Sequence, residues 1–87
     1  MEFDGAIIKE KDVTYAVVAV KRGIIDSEDT SAAERSLGSY QKYFPGLPVV
    51  LIAQDLTGSP TYYGDKDIVT LLARLPFSQI AWKRYGA

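Results

Sequence analysis

The arrangement of apolar and polar positions divides the 87-residue chain into five strands and two helices. The most apolar run, Val49–Ala53, opens a stretch from Leu47 to Tyr63 that predicts a buried strand, a loop and a shorter second strand. Upstream, residues 3–22 predict a hairpin, and its second segment, Val13–Val20, is rich in β-branched residues. Because both faces of that segment are mostly apolar, it is typical of a central strand.

Two stretches have the apolar spacing of a helix packed on a sheet. The first ends at Pro45-Gly46, and Gly38 within it predicts a close approach to the sheet. The second begins after Asp65, a good N-cap residue, and ends before Pro76. The apolar positions of the first helix are Ala33, Leu37, Tyr40 and Phe44. Those of the second helix are Ile68, Leu71, Leu72 and Leu75.

The last predicted strand runs from Phe77 to Tyr85, with Ile80 and Trp82 pointing inward. The order is therefore β-β-α-β-β-α-β in one domain covering residues 1–87. A helix between two strands predicts a right-handed crossover and parallel neighbours, whereas each hairpin is antiparallel. The sequence thus predicts an α/β (α+β-like) two-layer sandwich, in which a mixed sheet of four or five strands carries both helices on one face.

This architecture predicts a sheet face that the helices do not cover. Both central strands are apolar on both faces, and an apolar surface of that size normally finds a partner. The main hypothesis is therefore a non-catalytic interaction module that associates with itself, as a homodimer, or with another protein. The alternative is that loops and the N-terminal segment cover the face. The interface candidates are Tyr15, Val17, Ala19, Val49 and Leu51.

The composition of the chain limits the catalytic and metal-binding chemistry that it could perform. The net charge is −1, and the chain has neither cysteine nor histidine. Disulfides, thiolate nucleophiles and cysteine-ligated metals are excluded, and the commonest metal ligand and general base are missing. The acids Asp26, Glu28 and Asp29 suit a helix N-terminus better than a cation site, so we expect no metal and no cofactor.

The N-terminus lacks a signal-peptide pattern, and no run reaches the ~20 residues of a membrane span. We expect a soluble, cytoplasmic protein with no membrane partner.

Two further groups of residues are candidates for binding. Polar side chains of the loop at 54–64 could line a pocket where the strand ends, which leaves a ligand-binding or enzymatic domain as an alternative function. An aromatic and basic segment near the C-terminus has the residue types that protein interfaces and single-stranded nucleic-acid platforms use. The loop candidates are Asp55, Thr57, Ser59, Tyr62 and Tyr63, and those near the C-terminus are Trp82 and Arg84.

Nucleic-acid binding remains a weaker alternative because the charge of the whole chain would not attract a polyanion. It would need a local patch built from Lys21, Arg22, Lys83 and Arg84 with nearby aromatics. Salt-dependent affinity would support such a patch.

Two short resemblances can be set against these predictions. Asp55-Leu56-Thr57-Gly58 resembles the Asp-Thr-Gly signature of aspartic proteases, but Leu56 interrupts it. Ser59–Gly64 and the helix after it look like the second half of thioredoxin-like proteins, where a proline precedes a short strand and the last helix. Redox activity does not carry over, because the chain has no cysteine. In size and style the chain resembles small bacterial proteins.

Overall fold

The computed structural model describes residues 2–10, 12–21, 31–54, 60–75 and 79–86. The predicted class, the order of the elements and the mixed five-stranded sheet are confirmed. The strands are β1 (Glu2–Glu10), β2 (Val13–Ala19), β3 (Val49–Gln54), β4 (Pro60–Tyr63) and β5 (Lys83–Gly86). The helices are α1 (Ser31–Gln41) and α2 (Lys66–Ala73).

The strands lie in the order β4-β3-β2-β1-β5. β2 and β3 are parallel, as predicted from the helix between them, and the other three neighbouring pairs are antiparallel. In the parallel pair, the Ala16 amide donates to the Pro48 carbonyl at 2.8 Å and the Val20 amide donates to the Ile52 carbonyl at 2.9 Å. β4 and β5 are consequently the two edges of the sheet.

The first face of the sheet carries α1 and an aromatic cluster. Phe3 is the centre of this cluster: its ring centroid lies 4.7 Å from that of Tyr40 and 5.4 Å from that of Tyr85, which stacks on it. Such ring pairs add to the apolar area that they bury. The buried residues of this α1-side core are Phe3, Ala16, Val18, Ala33, Tyr40, Phe44, Val49 and Leu51.

The second face carries α2, and here the prediction that both helices share a face is wrong. Alternate residues of β2 and β3 point to opposite faces, and the apolar stripe of α2 packs on the set that α1 does not touch. The physical reason is that strands apolar on both faces need a cover on both faces. The buried residues of this α2-side core are Ala6, Tyr15, Val17, Val50, Ile52, Ile68, Leu72 and Ile80.

The connection from β4 to β5 joins the two edges of the sheet on the α2 side. Ile80 is buried and Trp82 is half-buried against the α2-side core, so the prediction that both point inward holds. They precede the strand, however: β5 begins only at Lys83. Phe77 lies outside the described residues.

Helix α1 ends at Gln41, before the last apolar residue of its predicted stripe. The Gln41 side-chain amide donates to the Phe44 carbonyl at 2.9 Å and to the Leu47 carbonyl at 2.7 Å. These bonds stabilise a turn that replaces the last helical turn, and Phe44 is buried from that turn. Gly38 does not approach the sheet closely, because a Cβ at this position would meet no atom within 4 Å.

Candidate functional site

The sheet separates the binding candidates that the sequence suggests. Tyr62 and Tyr63 lie on β4, at one edge, whereas Arg84 lies on β5, at the other, with Trp82 just before it. These two groups therefore do not form one site. Three further candidates, Asp55, Thr57 and Ser59, lie outside the described residues, as do the acids Asp26, Glu28 and Asp29.

The predicted interface residues are covered within the single chain. Tyr15, Val17, Val49 and Leu51 are buried, and Ala19 is half-buried. They also fail to share a face, because the three residues of β2 belong to the α2-side core and the two residues of β3 to the α1-side core. The expected open face is roofed by α2 and the residues before β5, so these side chains are not available to a partner in the folded chain.

The free edge of β4 differs from the rest of the sheet margin. In the described part of the chain, β4 pairs with β3 on one side and with no strand on the other. Its sequence, Pro-Thr-Tyr-Tyr, has no charged residue. The opposite margin has Lys83 and Arg84 on β5. On the part of β1 beyond its pairing with β5, the uncharged Ala6, Ile7 and Ile8 are followed by Lys9 and Glu10. Charges on an edge strand oppose pairing with another chain, and β4 lacks this protection apart from Pro60.

A hollow of about 430 Å³ lies beside β4, and we call it the β4 hollow. Its wall combines aromatic and aliphatic side chains with one lysine, and Thr70 Oγ1 is already used within α2, where it donates to the Lys66 carbonyl at 2.9 Å. Burial raises the pKa of the Tyr62 hydroxyl above its usual value, so Tyr62 is a neutral wall residue at physiological pH. The lining residues are Tyr62, Tyr63, Gly64, Lys66, Val69 and Thr70.

Local sequence explains how β4 and α2 form this hollow. Gly64 turns the chain with φ +155°, a conformation that other residues rarely adopt. Asp65 is the N-cap, as predicted: its Oδ1 accepts from the Asp67 amide at 2.9 Å and from the Ile68 amide at 3.4 Å. Because the turn is short, residues of β4 and of the start of α2 line the same hollow.

Sequence reasoning missed the α2 residues that complete the hollow, Lys66, Val69 and Thr70. One signal was available for Val69. It is an apolar residue next to the predicted core stripe of α2 but not part of it, and it is half-buried at the margin of the α2-side core. An apolar residue beside a core stripe widens the apolar face toward the neighbouring element.

A cleft of about 540 Å³ at the other margin of the sheet contains the Arg84 candidate. The Arg84 guanidinium donates to Asp4 Oδ1 at 3.2 Å and lies 3.5 Å from Glu2 Oε2. The hydrogen bond with Asp4 raises the pKa of Arg84, and the attraction of Asp4 and Glu2 adds to it. With Lys21 also in the lining, the cleft carries two acids and two bases, which leaves no surplus charge for an anion.

The basic residues do not combine into one patch in the described part of the chain. The register with β1 puts Arg84 opposite Asp4 and Lys83 opposite Gly5, so their side chains point to opposite faces of the sheet. Arg22 lies outside the described residues. This placement gives the nucleic-acid alternative no support.

The described residues also contain no group of three or more acidic side chains that could hold a metal ion. Neither α1 nor α2, the two helices of the described ranges, is long and apolar enough to cross a membrane. Comparisons with protein-family models, with curated proteins and with solved structures returned no match to this chain. The functional conclusion therefore rests on the geometry of the β4 edge and its hollow.

Proposed function

We propose that this chain is a non-catalytic interaction module that associates with a second copy through the free edge of β4. The observation that carries the proposal is the margin Pro60–Tyr63, which has no charged residue and, within the described residues, pairs with no strand on its outer side. The sheet faces themselves are covered by the chain, so the edge replaces the open face that the sequence suggested.

An unpaired and uncharged edge strand such as β4 is suited to pairing with a strand of another molecule. An unpaired edge strand presents a row of backbone N–H and C=O groups, and pairing with another strand satisfies them. Pro60 has no N–H, so the bonds would come from Thr61 to Tyr63. Three residues give few bonds, and the β4 hollow supplies apolar area beside them. We expect weak, reversible association, with a dissociation constant between about 1 µM and 1 mM.

The residues of the hollow favour binding over catalysis. It offers the Tyr62 ring, one valine and one ammonium group, and the Thr70 hydroxyl is engaged within its own helix. Rings of this kind combine a large contact area with little conformational freedom, which is why interfaces are enriched in them.

The test is the dependence of molecular mass on concentration, measured by sedimentation equilibrium. The wild-type chain is expected to shift from monomer to dimer as its concentration rises to about 1 mM. Thr61→Lys puts a charge on β4 and should weaken the dimer at least about tenfold, because the lysine must be desolvated on pairing. Thr61→Glu should do the same, which shows that the sign of the charge is not the cause.

Ile7→Lys is the matched control, because it also adds a lysine to an exposed position of the sheet. Ile7 is the large apolar side chain that is exposed in the described part of the chain, at 55%. The control should leave the dissociation constant unchanged. A wild-type chain that stays monomeric throughout, or a dimer that Ile7→Lys weakens as much as Thr61→Lys, contradicts the proposal. Urea midpoints of all variants show that each is folded.

A further inference from the structure

The β4 edge and the β4 hollow form one surface patch. It contains the Tyr62 ring and, beside that ring, a hollow that could accept the ring of another tyrosine. Tyr62 is half-buried, and its side chain lies on the α2 side of the sheet, where it lines the hollow with Val69. Its neighbours on the strand, Thr61 and Tyr63, point to the other face. Tyr62 is therefore the one strand residue on the α2 side that a partner strand at Thr61–Tyr63 could meet.

Symmetry decides which partner fits such a patch. In a two-fold dimer the same surface meets itself, so every protruding group must find its receptor in an identical copy. Antiparallel pairing of two β4 strands meets this condition when the two-fold axis passes beside Tyr62. Each Tyr62 then lies opposite its counterpart, and Thr61 lies opposite Tyr63 of the other copy.

The charges beside the hollow are self-complementary in the same way. Asp65, Lys66 and Asp67 are all exposed at the start of α2, so this surface carries two acids and one base. A two-fold axis perpendicular to the sheet makes the two α2 helices antiparallel and brings the start of each near the start of the other, where a lysine of one copy could pair with a carboxylate of the other. A patch with a single sign of charge would repel its own copy, and this one does not.

We propose that the β4 hollow is filled by the Tyr62 ring of a second copy, in an antiparallel β4 pair centred on Tyr62. This inference rests on the proposed function and adds the register and the group that fills the hollow. The two copies form one continuous ten-stranded sheet, and each ring contacts Val69 and the aliphatic part of Lys66 in the other copy.

Single cysteines test the register, and the chain has none of its own to interfere. Residues directly opposite in an antiparallel pair have Cα atoms about 4.5–5.5 Å apart, which suits a disulfide. Residues displaced by two positions are about 7–8 Å apart and exceed its reach. Because the cysteine at 62 also removes the ring, the variants are compared at protein concentrations at which sedimentation shows each to be dimeric. Under mild oxidation there, Tyr62→Cys should form a disulfide-linked dimer at least about tenfold faster than Thr61→Cys or Tyr63→Cys.

A second measurement keeps the inference testable if the cysteine at 62 weakens the dimer. Tyr62→Ala empties the hollow and should raise the dissociation constant at least about tenfold, whereas Tyr62→Phe keeps the ring and should leave it within about twofold. Ala81→Cys, at an exposed position near the other margin, is the control for random collision between thiols.

The outcomes separate the register from the proposed function. Fastest linkage at Thr61→Cys or Tyr63→Cys overturns the Tyr62-centred register while leaving β4 as the interface. A dimer whose affinity is the same with Tyr62→Ala overturns the role of the ring. Linkage no faster at 61–63 than at Ala81→Cys, in a chain that sedimentation shows to be dimeric, overturns both the register and the β4 edge.

Discussion

Replacing Tyr15 by phenylalanine removes one oxygen atom from the centre of the α2-side core. Tyr15 is 0% exposed, and its hydroxyl has no hydrogen-bond partner in the described part of the chain. In the unfolded chain the same hydroxyl bonds to water. Folding therefore removes a donor and acceptor from solvent without replacing its bonds, and Tyr15→Phe is expected to stabilise the protein.

The magnitude follows from two opposing effects. An unsatisfied buried polar group costs about 1–3 kcal/mol of stability. Removing the oxygen leaves a void of roughly 10 Å³, which at about 24 cal/mol per Å³ costs roughly 0.2 kcal/mol. The first effect is larger, so the free energy of unfolding should rise by about 1–2 kcal/mol. In a domain of this length each kcal/mol raises the melting temperature by about 4–8 °C.

The assay is urea unfolding followed by the fluorescence of Trp82, the one tryptophan of the chain. Measurement at two protein concentrations separates the stability of the fold from any effect of association. Tyr62→Phe is the matched control: this tyrosine packs against the same core but is only half-buried, so folding removes it from water less completely than Tyr15. Its free energy of unfolding should change by less than about 0.5 kcal/mol.

The pH dependence gives an independent check. Burial raises the pKa of Tyr15 above its ordinary value of 10.0, and the nearby Glu10 carboxylate raises it further. Well below pH 10.0 both the folded and the unfolded chain keep this proton, so Tyr15 adds no pH dependence to the stability. Above it the unfolded chain loses the proton first, and stability falls until the folded pKa is passed. The phenylalanine variant lacks this loss, so its advantage should grow in alkali.

The result that refutes this reasoning is a Tyr15→Phe variant that is less stable than wild type at pH 7 by more than about 0.5 kcal/mol. Such a loss would mean that the hydroxyl makes a favourable bond in the folded protein. An equal gain in Tyr62→Phe would also refute it, because the effect would then not depend on complete burial.

Two further predictions concern packing. Phe3→Ala should lower the free energy of unfolding by about 3–5 kcal/mol in the same assay, because Phe3 contacts the other rings of its cluster. Ile7→Ala, on the same strand but exposed, should lower it by about 0.5 kcal/mol. Equal losses would contradict the assignment of the core. Gly64→Ala should lower the free energy of unfolding by about 1–3 kcal/mol, since the φ of Gly64 is +155° and a Cβ there would lie 3.0 Å from Val50 Cγ2. Gly38→Ala should raise it by about 0.5–1 kcal/mol, because alanine favours the helix α1 and a Cβ there meets no atom within 4 Å. The opposite order would contradict the backbone geometry.

The sequence was sufficient for the elements that have a strong period. The spacing of Ile68, Leu71 and Leu72 predicts α2, and the helix between Val13–Val20 and the strand after it predicts the parallel pair of β2 and β3. The ends of elements were harder, because the side-chain bonds of Gln41 that end α1 depend on carbonyl groups several residues away. Periodicity carries no information about such bonds.

The face of α2 could not be obtained from the rule of right-handed crossovers. That rule applies to parallel strands in one sheet, and it fixes the connection from β2 to β3. β4 and β5 run in opposite directions, as their partners show, so the rule is silent about the connection that contains α2. The sequence feature that indicates a helix on each face is that β2 is apolar on both faces. Tyr15 and Val17 lie on one face, and Ala16 and Val18 lie on the other.

The candidate site was the hardest feature to predict because it depends on which strand lies at an edge of the sheet without a pairing strand on its outer side. Tyr62 and Tyr63 could be named from their residue type and position. That they lie at the free edge, with the charged residues at the other, follows only from the strand order. The strand order depends on contacts between distant residues, which local patterns do not encode.

The pairing of β1 with β5 has a consequence for how the chain folds. Arg84 and Asp4, which bond across this pair, are 80 positions apart in the sequence. Bringing such distant segments together costs more chain entropy than closing either hairpin, and long-range pairing slows folding. During synthesis, β1 leaves the ribosome before its partner β5, and this side of the strand stays unpaired until the residues 80 positions later have been translated.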